Sequence, residues 1–354
     1  MKLELRDVAK RIGADVHIHE TSLIMEPGEF NILLGVTTAG KTTLMKLMSG
    51  LDSPSSGTVI YGGKDITKVS PQKRNISFVH QFFINYPHLS VRENIISPLR
   101  IGKVNPSEIK RRLDETADLL RLGPMLNRKP SELSGGQQQR CALARAIIKD
   151  SDVVYLDEPL ANLDYKLREE LRAELPAIFA DRGAIVVYAT SEPTEALMLG
   201  GNTAALFEGH VAQFGKTSEV YRAPANIHSA QVFSNPPLNM AKVHKKNGKI
   251  QLSKACSWDA TGSALDLKDG EYIMGVRPHF VQPSSVNVGD VPIEGVVKVT
   301  ELSGSESVAH FAFGEASWVS LSNGLHPFMV GEKHQFYLDA TRCFFFGTNG
   351  QALV

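Results

Sequence analysis

The stretch GVTTAGKT (35–42) fits the pattern G-x-x-x-x-G-K followed by Ser or Thr. It lies between EFNILLGV (29–36), which predicts a strand, and KTTLMKLMSGL (41–51), which predicts a helix with one apolar face. Glycine lets the backbone curl so that its N–H groups face a phosphate, and the helix N-terminus adds its dipole. The stretch therefore predicts a phosphate-binding loop between a strand and a helix of an α/β fold.

The pattern assigns separate roles to the residues of this loop. Lys41 is expected to reach the β and γ phosphates of a nucleotide, and Thr42 is expected to bind Mg²⁺. A Gly/Thr turn beside an exposed lysine is the alternative, which the flanking strand and helix disfavour. The other residues expected to contact phosphate are Gly35, Thr37, Thr38, Ala39, Gly40 and Thr43.

A second motif, VVYLDEP (153–159), ends an apolar strand in two acids. Asp157 can hold Mg²⁺, directly or through water, and Glu158 follows where a base could polarise an attacking water. Two acids after a strand are, on their own, more often a helix cap or a turn. Combined with the phosphate loop, they predict a site for ATP and Mg²⁺.

Strand-like and helix-like segments alternate along the first part of the chain. Further strands are predicted at 75–81 and 152–159, helices at 108–123 and 137–148, and a terminal hairpin at 203–215. Strands separated by helices favour a parallel, doubly wound sheet.

The composition and the hydrophobic pattern of the sequence change after SNPPLNMA (234–241). Gly, Ser, Val and Phe become common, and short alternating runs such as ESVAHFAF replace helical periodicity. We interpret this part as a second, all-β domain of small-barrel type. The predicted domains are residues 1–235 and 236–354.

Composition narrows the classes of function. Lys plus Arg and Asp plus Glu both number 38, so no net field favours nucleic acid as a partner. No apolar run reaches the roughly 18 residues of a spanning helix. The three cysteines are scattered and predict neither a disulfide framework nor a zinc site.

The run LSGGQQQR (133–140) identifies a family resemblance. Together with the two motifs above, Gln81 and ANLD (161–164), in this order and spacing, it resembles the ATP-binding subunits of ABC transporters. The resemblance implies a P-loop NTPase fold, with a RecA-like core and a helical subdomain. It also implies that Gln81 senses Mg²⁺ and the attacking water.

In that family two ATP molecules are buried between two head-to-tail subunits. The signature run of one subunit closes over the nucleotide of the other. Small side chains and free N–H groups at a helix start suit this second phosphate-binding surface. The resemblance assigns nucleotide contacts to Ser134, Gly135, Gly136, Gln137 and Asp164.

The resemblance extends to the maltose-importer-type ATPases that energise sugar and polyol uptake. HQFFINYPHLSVRENI (80–95), the stretch 161–175 and MGVRPHF (274–280) all resemble that subgroup. It implies that the stretch after Gln81 receives a helix of the membrane subunit. The β-rich tail resembles the subgroup's TOBE-type regulatory domain, which has an OB-like barrel.

The subgroup implies a set of partners and a place of action. Two transmembrane permease subunits, a periplasmic or lipoprotein substrate-binding protein and a second ATPase subunit are expected. The chain would lie on the cytoplasmic face of the inner membrane. The implied substrate is a sugar, glycerol, another polyol or a glycerol phosphate.

The stretch IVVYATSEPTE (185–195) departs from the family. A histidine that contacts the γ-phosphate and orients water usually follows this strand, and Ser191 stands there instead. A hydroxyl cannot carry the positive charge of an imidazole. Loss of a positioned acid–base group typically lowers the rate by about 10²–10⁴-fold.

A second departure lies in DVAKRIG (7–13). The family usually stacks an aromatic ring on adenine here, and the equivalent residue is Ile12. In nucleic-acid complexes the loss of such stacking costs about 1–3 kcal/mol. Ile12 could retain part of this contact through its apolar surface.

Both departures fall on one nucleotide site, whereas the signature run that serves the partner is intact. We therefore favour an asymmetric heterodimer in which this chain completes a competent site on a different ATPase subunit. A homodimer in which Ser191 or Glu192 substitutes for the histidine is the alternative, as is a nucleotide-clamping subunit with little hydrolysis. A soluble ABC protein of DNA repair or translation is disfavoured.

Overall fold

A computed structural model describes residues 1–180, 182–254 and 256–353. The chain divides into two compact units, Met1–Ser218 and Glu219–Val354. The boundary predicted between residues 235 and 236 lies inside the second unit and stays a prediction. Among the described residues, no helix combines the length and apolar character needed to cross a bilayer.

The first unit contains most of the helices. Its strands are β1 (Leu3–Ile12), β2 (Asp15–Met25), β3 (Phe30–Leu34), β4 (Ser56–Tyr61), β5 (Lys64–Asp65), β6 (Ile76–Val79), β7 (Val153–Asp157), β8 (Ile185–Thr190), β9 (Asn202–Phe207) and β10 (His210–Lys216). Its helices are α1 (Lys41–Ser49), α2 (Val91–Ile101), α3 (Pro106–Leu119), α4 (Gly135–Ile147), α5 (Tyr165–Ala180) and α6 (Pro193–Leu199). The division between the units falls within α7 (Thr217–Arg222).

A six-stranded sheet of order β10-β9-β3-β8-β7-β6 forms the centre of this unit, and only β10 runs antiparallel to its neighbour. Every residue of β3, β7 and β8 is buried, as in central strands covered on both faces. The predicted parallel sheet is confirmed. Because these three strands are adjacent, the segments that follow their carboxyl ends meet at one sheet edge.

A smaller antiparallel sheet of order β2-β1-β4-β5 was not predicted. Three register shifts interrupt the pairing of β1 with β2, so the apolar positions of this segment do not alternate regularly. Leu3, Leu5 and Ile18 of this sheet share one core with Leu44 and Met48 of α1. The sheet thus supports the helix that opens at Lys41.

The second unit is built from antiparallel strands, which confirms the predicted all-β tail. The end of α7 and the helix α8 (Ile227–Val232) come first, and two five-stranded sheets follow, with orders β13-β12-β11-β14-β20 and β15-β19-β16-β17-β18. Phe311 and Phe336 stack at 4.1 Å in its core, beside Trp318. The strands are β11 (Asn239–Lys246), β12 (Lys249–Gln251), β13 (Ser257–Asp259), β14 (Gly270–Val276), β15 (Val281–Gln282), β16 (Val291–Leu302), β17 (Glu306–Phe313), β18 (Ala316–Asn323), β19 (Lys333–Leu338) and β20 (Phe344–Phe346).

Arg74 fastens the end of α1 to the loop that follows β5. Its buried guanidinium donates hydrogen bonds to the carbonyl oxygens of Met48 at 2.8 Å and Val69 at 2.9 Å, and also to that of Ile66. The carbonyls of the last helical turn have no partner within the helix, so Arg74 satisfies one of them.

We expect Arg74→Met to destabilise the chain by about 3 kcal/mol, because it leaves buried carbonyl oxygens without donors. Urea unfolding of the full chain measures the change. Lys73→Met is the matched control, since Lys73 is exposed on the same turn. Equal stability of the two variants would show that Arg74 does not hold α1 in place.

Candidate functional site

The loop between β3 and α1 curls around the side chain of Lys41. Thr38 and Gly40 have positive φ angles of 75° and 102°. The buried Lys41 Nζ donates hydrogen bonds to the carbonyl oxygens of Gly35 at 2.7 Å and Val36 at 3.1 Å. Burial lowers the pKa of Lys41, and the nearby carboxylates of Glu158 and Asp157 oppose that shift. The ammonium therefore lies inside the loop predicted to bind phosphate.

Two glycines let this loop lie against the neighbouring strands. A Cβ atom on Gly35 would lie 2.6 Å from the carbonyl oxygen of Leu206 in β9. A Cβ atom on Gly40 would lie 2.8 Å from the Ile18 side chain in β2. At Gly35 a side chain would push the loop away from β9, whereas at Gly40 it is the positive φ that favours glycine, because the nearest atom there is the flexible end of the Ile18 side chain.

Thr42 of the phosphate loop and Asp157 of the acidic motif, both predicted to hold Mg²⁺, lie in contact. Thr42 Oγ1 donates a hydrogen bond of 2.8 Å to Asp157 Oδ2. Burial raises the pKa of Asp157, which follows from a carboxylate placed at a buried strand end. Hydroxyl and carboxylate oxygens suit Mg²⁺, which takes few protein ligands and completes its shell with water and phosphate. Among the described residues, no group of three or more His, Cys, Asp or Glu is placed to hold a metal ion.

Glu158 stands where the predicted catalytic groups meet. Its φ is 47°, and its backbone N–H donates to the carbonyl oxygen of Ala189 in β8. Glu158 Oε2 accepts a 3.0 Å hydrogen bond from Gln81 Nε2, while Glu158 Oε1 lies 3.8 Å from Lys41 Nζ. The structure thus brings Glu158, Gln81 and Lys41 together. A carboxylate placed this way can accept a proton from water at the end of a phosphate chain.

A cavity of about 640 Å³ opens over the phosphate loop. Glu208 and Gly209 and three residues of β2 complete its wall, and none of these was predicted. Ile12 does not line the cavity, and its side chain is 56% exposed. Ala39, a residue of the loop itself, is buried and does not line the cavity either. The residues predicted for the site that do line it are Thr37, Thr38, Gly40, Lys41, Thr42, Thr43, Gln81 and Glu158.

The signature run forms a separate surface at the start of α4. Ser134 is the N-cap: its hydroxyl accepts from the Gln137 N–H, and its own N–H donates to Gln137 Oε1. Ser134 and Gly135 are exposed, and none of residues 134–137 lines the cavity around Lys41. Asp164 is likewise exposed outside the cavity, where its carboxylate accepts from the Leu167 N–H.

Ser191 lies at the end of β8 but does not line the cavity. Its neighbour Glu192 turns toward α5, where its carboxylate lies 3.5 Å from Arg168 and 3.8 Å from Arg172. The buried Glu195 lies 3.6 Å from the same Arg172. These ion pairs hold the segment after β8 against α5.

Sequence reasoning missed Gln139, which joins the signature helix to the acidic motif. This buried side chain donates to the carbonyl oxygens of Pro159 at 2.6 Å and Glu158 at 3.3 Å. Its Oε1 accepts from the Asn162 N–H at 3.2 Å. A glutamine inside an otherwise apolar helix face was the available signal, since a buried amide needs partners.

Comparison with known proteins identifies relatives over nearly the whole chain. Residues 18–161 match the ABC transporter family. The trehalose/maltose import ATP-binding protein MalK of Thermococcus litoralis is 36% identical over 334 residues, which cover 90% of each chain. The sn-glycerol-3-phosphate import ATP-binding protein UgpC of Brucella abortus is 33% identical over 357 residues, which cover 99% of this chain and 98% of that one.

The fold also matches a solved structure. The dimeric ATP-binding cassette MJ0796, in a post-hydrolysis state bound to ADP and Pi, superposes with a TM-score of 0.56. It is 28% identical and covers 61% of this chain and 98% of its own. That cassette holds ADP and Pi in its own copy of the fold.

We expect Gln139→Met to lower the free energy of unfolding by about 1–3 kcal/mol, because buried carbonyl groups lose their donor. Hydrogen exchange of residues 158–163 should rise at the same time. Gln137→Met, on the same helix but half-buried, is the control and should leave that segment protected. Unchanged exchange in Gln139→Met would mean that this amide does not position the acidic motif.

Proposed function

Because this chain belongs to the family of ABC transporter ATP-binding proteins, we propose that it energises an importer of a sugar or polyol. The relatives named above import maltose or trehalose and sn-glycerol-3-phosphate. Glycerol or a glycerol phosphate therefore falls within the proposed substrates, beside sugars. The chain is an ABC ATPase, and ATP is its nucleotide.

The separation of two phosphate-binding surfaces on one chain carries this proposal. One surface is the cavity over Lys41, and the other is the helix start at Ser134–Gln137, outside that cavity, where Ser134 and Gly135 are exposed. Helix N-termini with free N–H groups favour phosphate. Two chains placed head to tail would each close the other's cavity with this helix start.

Mg²⁺ fits the oxygen ligands of Thr42 and Asp157, and Gln81 lines the same cavity as Thr42. When bound, the ion neutralises charge on the phosphate oxygens. The protein groups then have distinct tasks. Lys41 exchanges its loop carbonyls for phosphate oxygens, and Glu158 orients and deprotonates the attacking water.

The asymmetric form of the pair rests on the segment after β8. Ser191 is exposed outside the cavity, and Glu192 is held toward Arg168 and Arg172. Neither side chain faces the phosphates in place of the missing histidine. We propose that this chain's own site binds ATP and hydrolyses it slowly, while its signature run completes a competent site on a different ATPase subunit.

Two alternatives remain distinct outcomes of experiment. In a homodimer, Ser191 or Glu192 would have to move onto the nucleotide and support hydrolysis. In a clamping subunit, the chain would bind ATP without measurable turnover. Glu158 favours residual hydrolysis over pure clamping, because its carboxylate is already hydrogen-bonded to Gln81.

An exposed apolar groove suits the proposed membrane subunits. Ile101 at the end of α2 is 81% exposed, and Phe82 is 87% exposed. Arg145 lies 4.6 Å over the Tyr86 ring and donates to the carbonyl oxygen of Ile84. The groove of about 250 Å³ is lined by Ile76, Ser77, Phe78, Tyr86, Ser97, Pro98, Ile101, Ala142, Arg145, Ala146 and Lys149.

We propose that a helix of each permease docks in such a groove, and that the chain is peripheral at the cytoplasmic face of the inner membrane. A periplasmic or lipoprotein binding protein would deliver the substrate from the other side. The groove and the nucleotide cavity are linked through the segment that follows Gln81. A movement of Gln81 relative to Glu158 would therefore also shift the residues that form the docking groove.

In the assembled transporter, we expect Glu158→Gln here to lower uptake by less than about threefold, whereas the corresponding change in the second ATPase subunit lowers it by about 100-fold or more. The reason is that only the partner's site is proposed to carry out fast hydrolysis. Radiolabelled substrate uptake in vesicles measures both variants.

The reverse order of effects would contradict the asymmetric pair. Equal, severe losses in both variants would instead support two working sites. Steady ATP turnover by the purified chain alone would favour the homodimer.

We expect Ile101→Asp to weaken association with the permease subunits by about tenfold, because a charge would be buried in an apolar contact. Co-purification of the detergent-solubilised complex measures this. Leu265→Asp is the matched control, since Leu265 is an exposed leucine of the second unit. Intact assembly of Ile101→Asp would place the membrane contact elsewhere.

A further inference from the structure

Two neighbouring cavities lie on the second unit, and the proposed hydrolysis uses neither of them. Their volumes are about 770 and 670 Å³, which is a size typical of small-molecule sites. The residues that line both cavities are Asn287, Asp290, Asp339 and Arg342. Because these residues are common to the two, the cavities adjoin along one shared wall.

Hydrogen bonds within the wall hold its shape without a ligand. Asp290 closes the turn at 286–290, where its carboxylate accepts from two backbone N–H groups at 2.7 and 2.8 Å. Asp339 caps the following helical turn at 340–342: its carboxylate accepts from the Thr341 N–H at 3.0 Å and from the Thr341 hydroxyl at 2.6 Å. Both carboxylates are therefore engaged with their own turns, and the wall is formed before anything binds.

The charges around the two cavities disfavour an anionic ligand. The carboxylates that line them belong to Asp259, Asp290, Glu306 and Asp339. Against these, Arg342 is the one arginine or lysine among the described lining residues. His279 and His326 line the larger cavity, and burial together with the nearby Arg277 lowers the pKa of His279, which leaves it neutral near pH 7. A phosphate would be repelled here, whereas a neutral hydroxylated ligand would not.

Each cavity has an aromatic side chain of its own. Trp258 lines the smaller cavity, and Phe280 and Tyr337 line the larger one. All three rings are partly exposed, so a ligand can cover them. The C–H groups of a sugar ring are apolar and can pack on an aromatic side chain. Two linked sugar rings would therefore find one aromatic surface in each cavity.

The protein leaves several hydrogen-bonding groups unused at these walls. Arg342 is exposed, with its Cζ atom 5.5 Å from the centre of the Phe280 ring, and it forms no ion pair with the described residues. In the wall of the smaller cavity, Trp258 Nε1 and Thr261 Oγ1 are buried and have no hydrogen-bond partner among the described residues. Buried polar atoms normally have partners. A guanidinium, an indole N–H and a hydroxyl are groups that can bind the hydroxyls of a sugar.

We propose that the second unit binds a neutral disaccharide across these two cavities, with one sugar ring in each and Arg342 hydrogen-bonded at their junction. The paired cavities with separate aromatic side chains carry this inference, and no residue of the nucleotide site enters it. The inference goes beyond the proposed function, in which sugar is bound by other subunits. A chain at the cytoplasmic face, as proposed above, would meet the sugar at this site after its delivery.

Equilibrium dialysis of the full-length chain with radiolabelled maltose or trehalose tests the site. We expect saturable binding to the wild-type chain, and a loss of affinity of about tenfold or more in Arg342→Met, because a charged donor is removed. Arg222→Met is the matched control, since Arg222 is an exposed arginine of the second unit that lines neither cavity. It should bind the sugar as the wild type does.

Tryptophan fluorescence reports where the sugar lies. The chain has two tryptophans, and Trp318 is fully buried and lines neither cavity. Sugar should therefore change the emission of the wild-type chain through Trp258. Trp258→Phe should lose this change and keep most of the affinity measured by dialysis, because it keeps an aromatic ring.

The inference is overturned if neither sugar binds, if Arg342→Met binds as tightly as Arg222→Met, or if the emission change persists in Trp258→Phe. Binding of sn-glycerol-3-phosphate in preference to the sugars would also overturn it, because the site would then select an anion. Lys41→Ala should abolish ATP binding and leave sugar binding intact. ATP binding without sugar binding in the wild-type chain would refute this inference alone, and sugar binding without ATP binding would refute the proposed function alone.

Discussion

The close approach of a bare backbone to its neighbours is the constraint on which the nucleotide site depends. A side chain on Gly35 would collide with the backbone of β9, and Gly40 adopts a positive φ of 102° beside β2. The carbonyl oxygens of Gly35 and Val36 in this loop then accept hydrogen bonds from Lys41. Because β3, β7 and β8 are adjacent, the same sheet edge carries Asp157 and Glu158 to the lysine. The backbone of the loop and the order of the strands thus determine where Lys41, Asp157 and Glu158 lie.

The sequence predicted the elements whose signal is local. An apolar run followed by a motif located β3, α1 and β7, and the shared sheet edge followed from parallel order. The antiparallel sheet of β1 and β2 was missed because bulges break its alternation. Gln139 was missed because its partners lie about twenty residues away along the chain, and no spacing rule reports such a contact.

The wall of the cavity escaped prediction for a related reason. His17 lines the cavity, and Gly209 hydrogen-bonds both to β2 and to the phosphate loop. The resemblance directed attention to position 12, where an aromatic ring is usual, and Ile12 lies outside the wall. A motif marks which residue types carry a function, whereas the packing of distant strands decides which side chain faces the ligand.

The physical separation of the two phosphate surfaces makes an asymmetric pair workable. The segment after β8 can be tied to α5 by Arg168 and Arg172 without disturbing the capped helix start at Ser134. A chain can therefore lose fast hydrolysis at its own cavity and still complete its partner's. In such a cavity hydrolysis no longer removes the bound ATP, so the residence time of ATP is set by its dissociation alone. In the proposed pair this would keep one interface closed while the other site turns over.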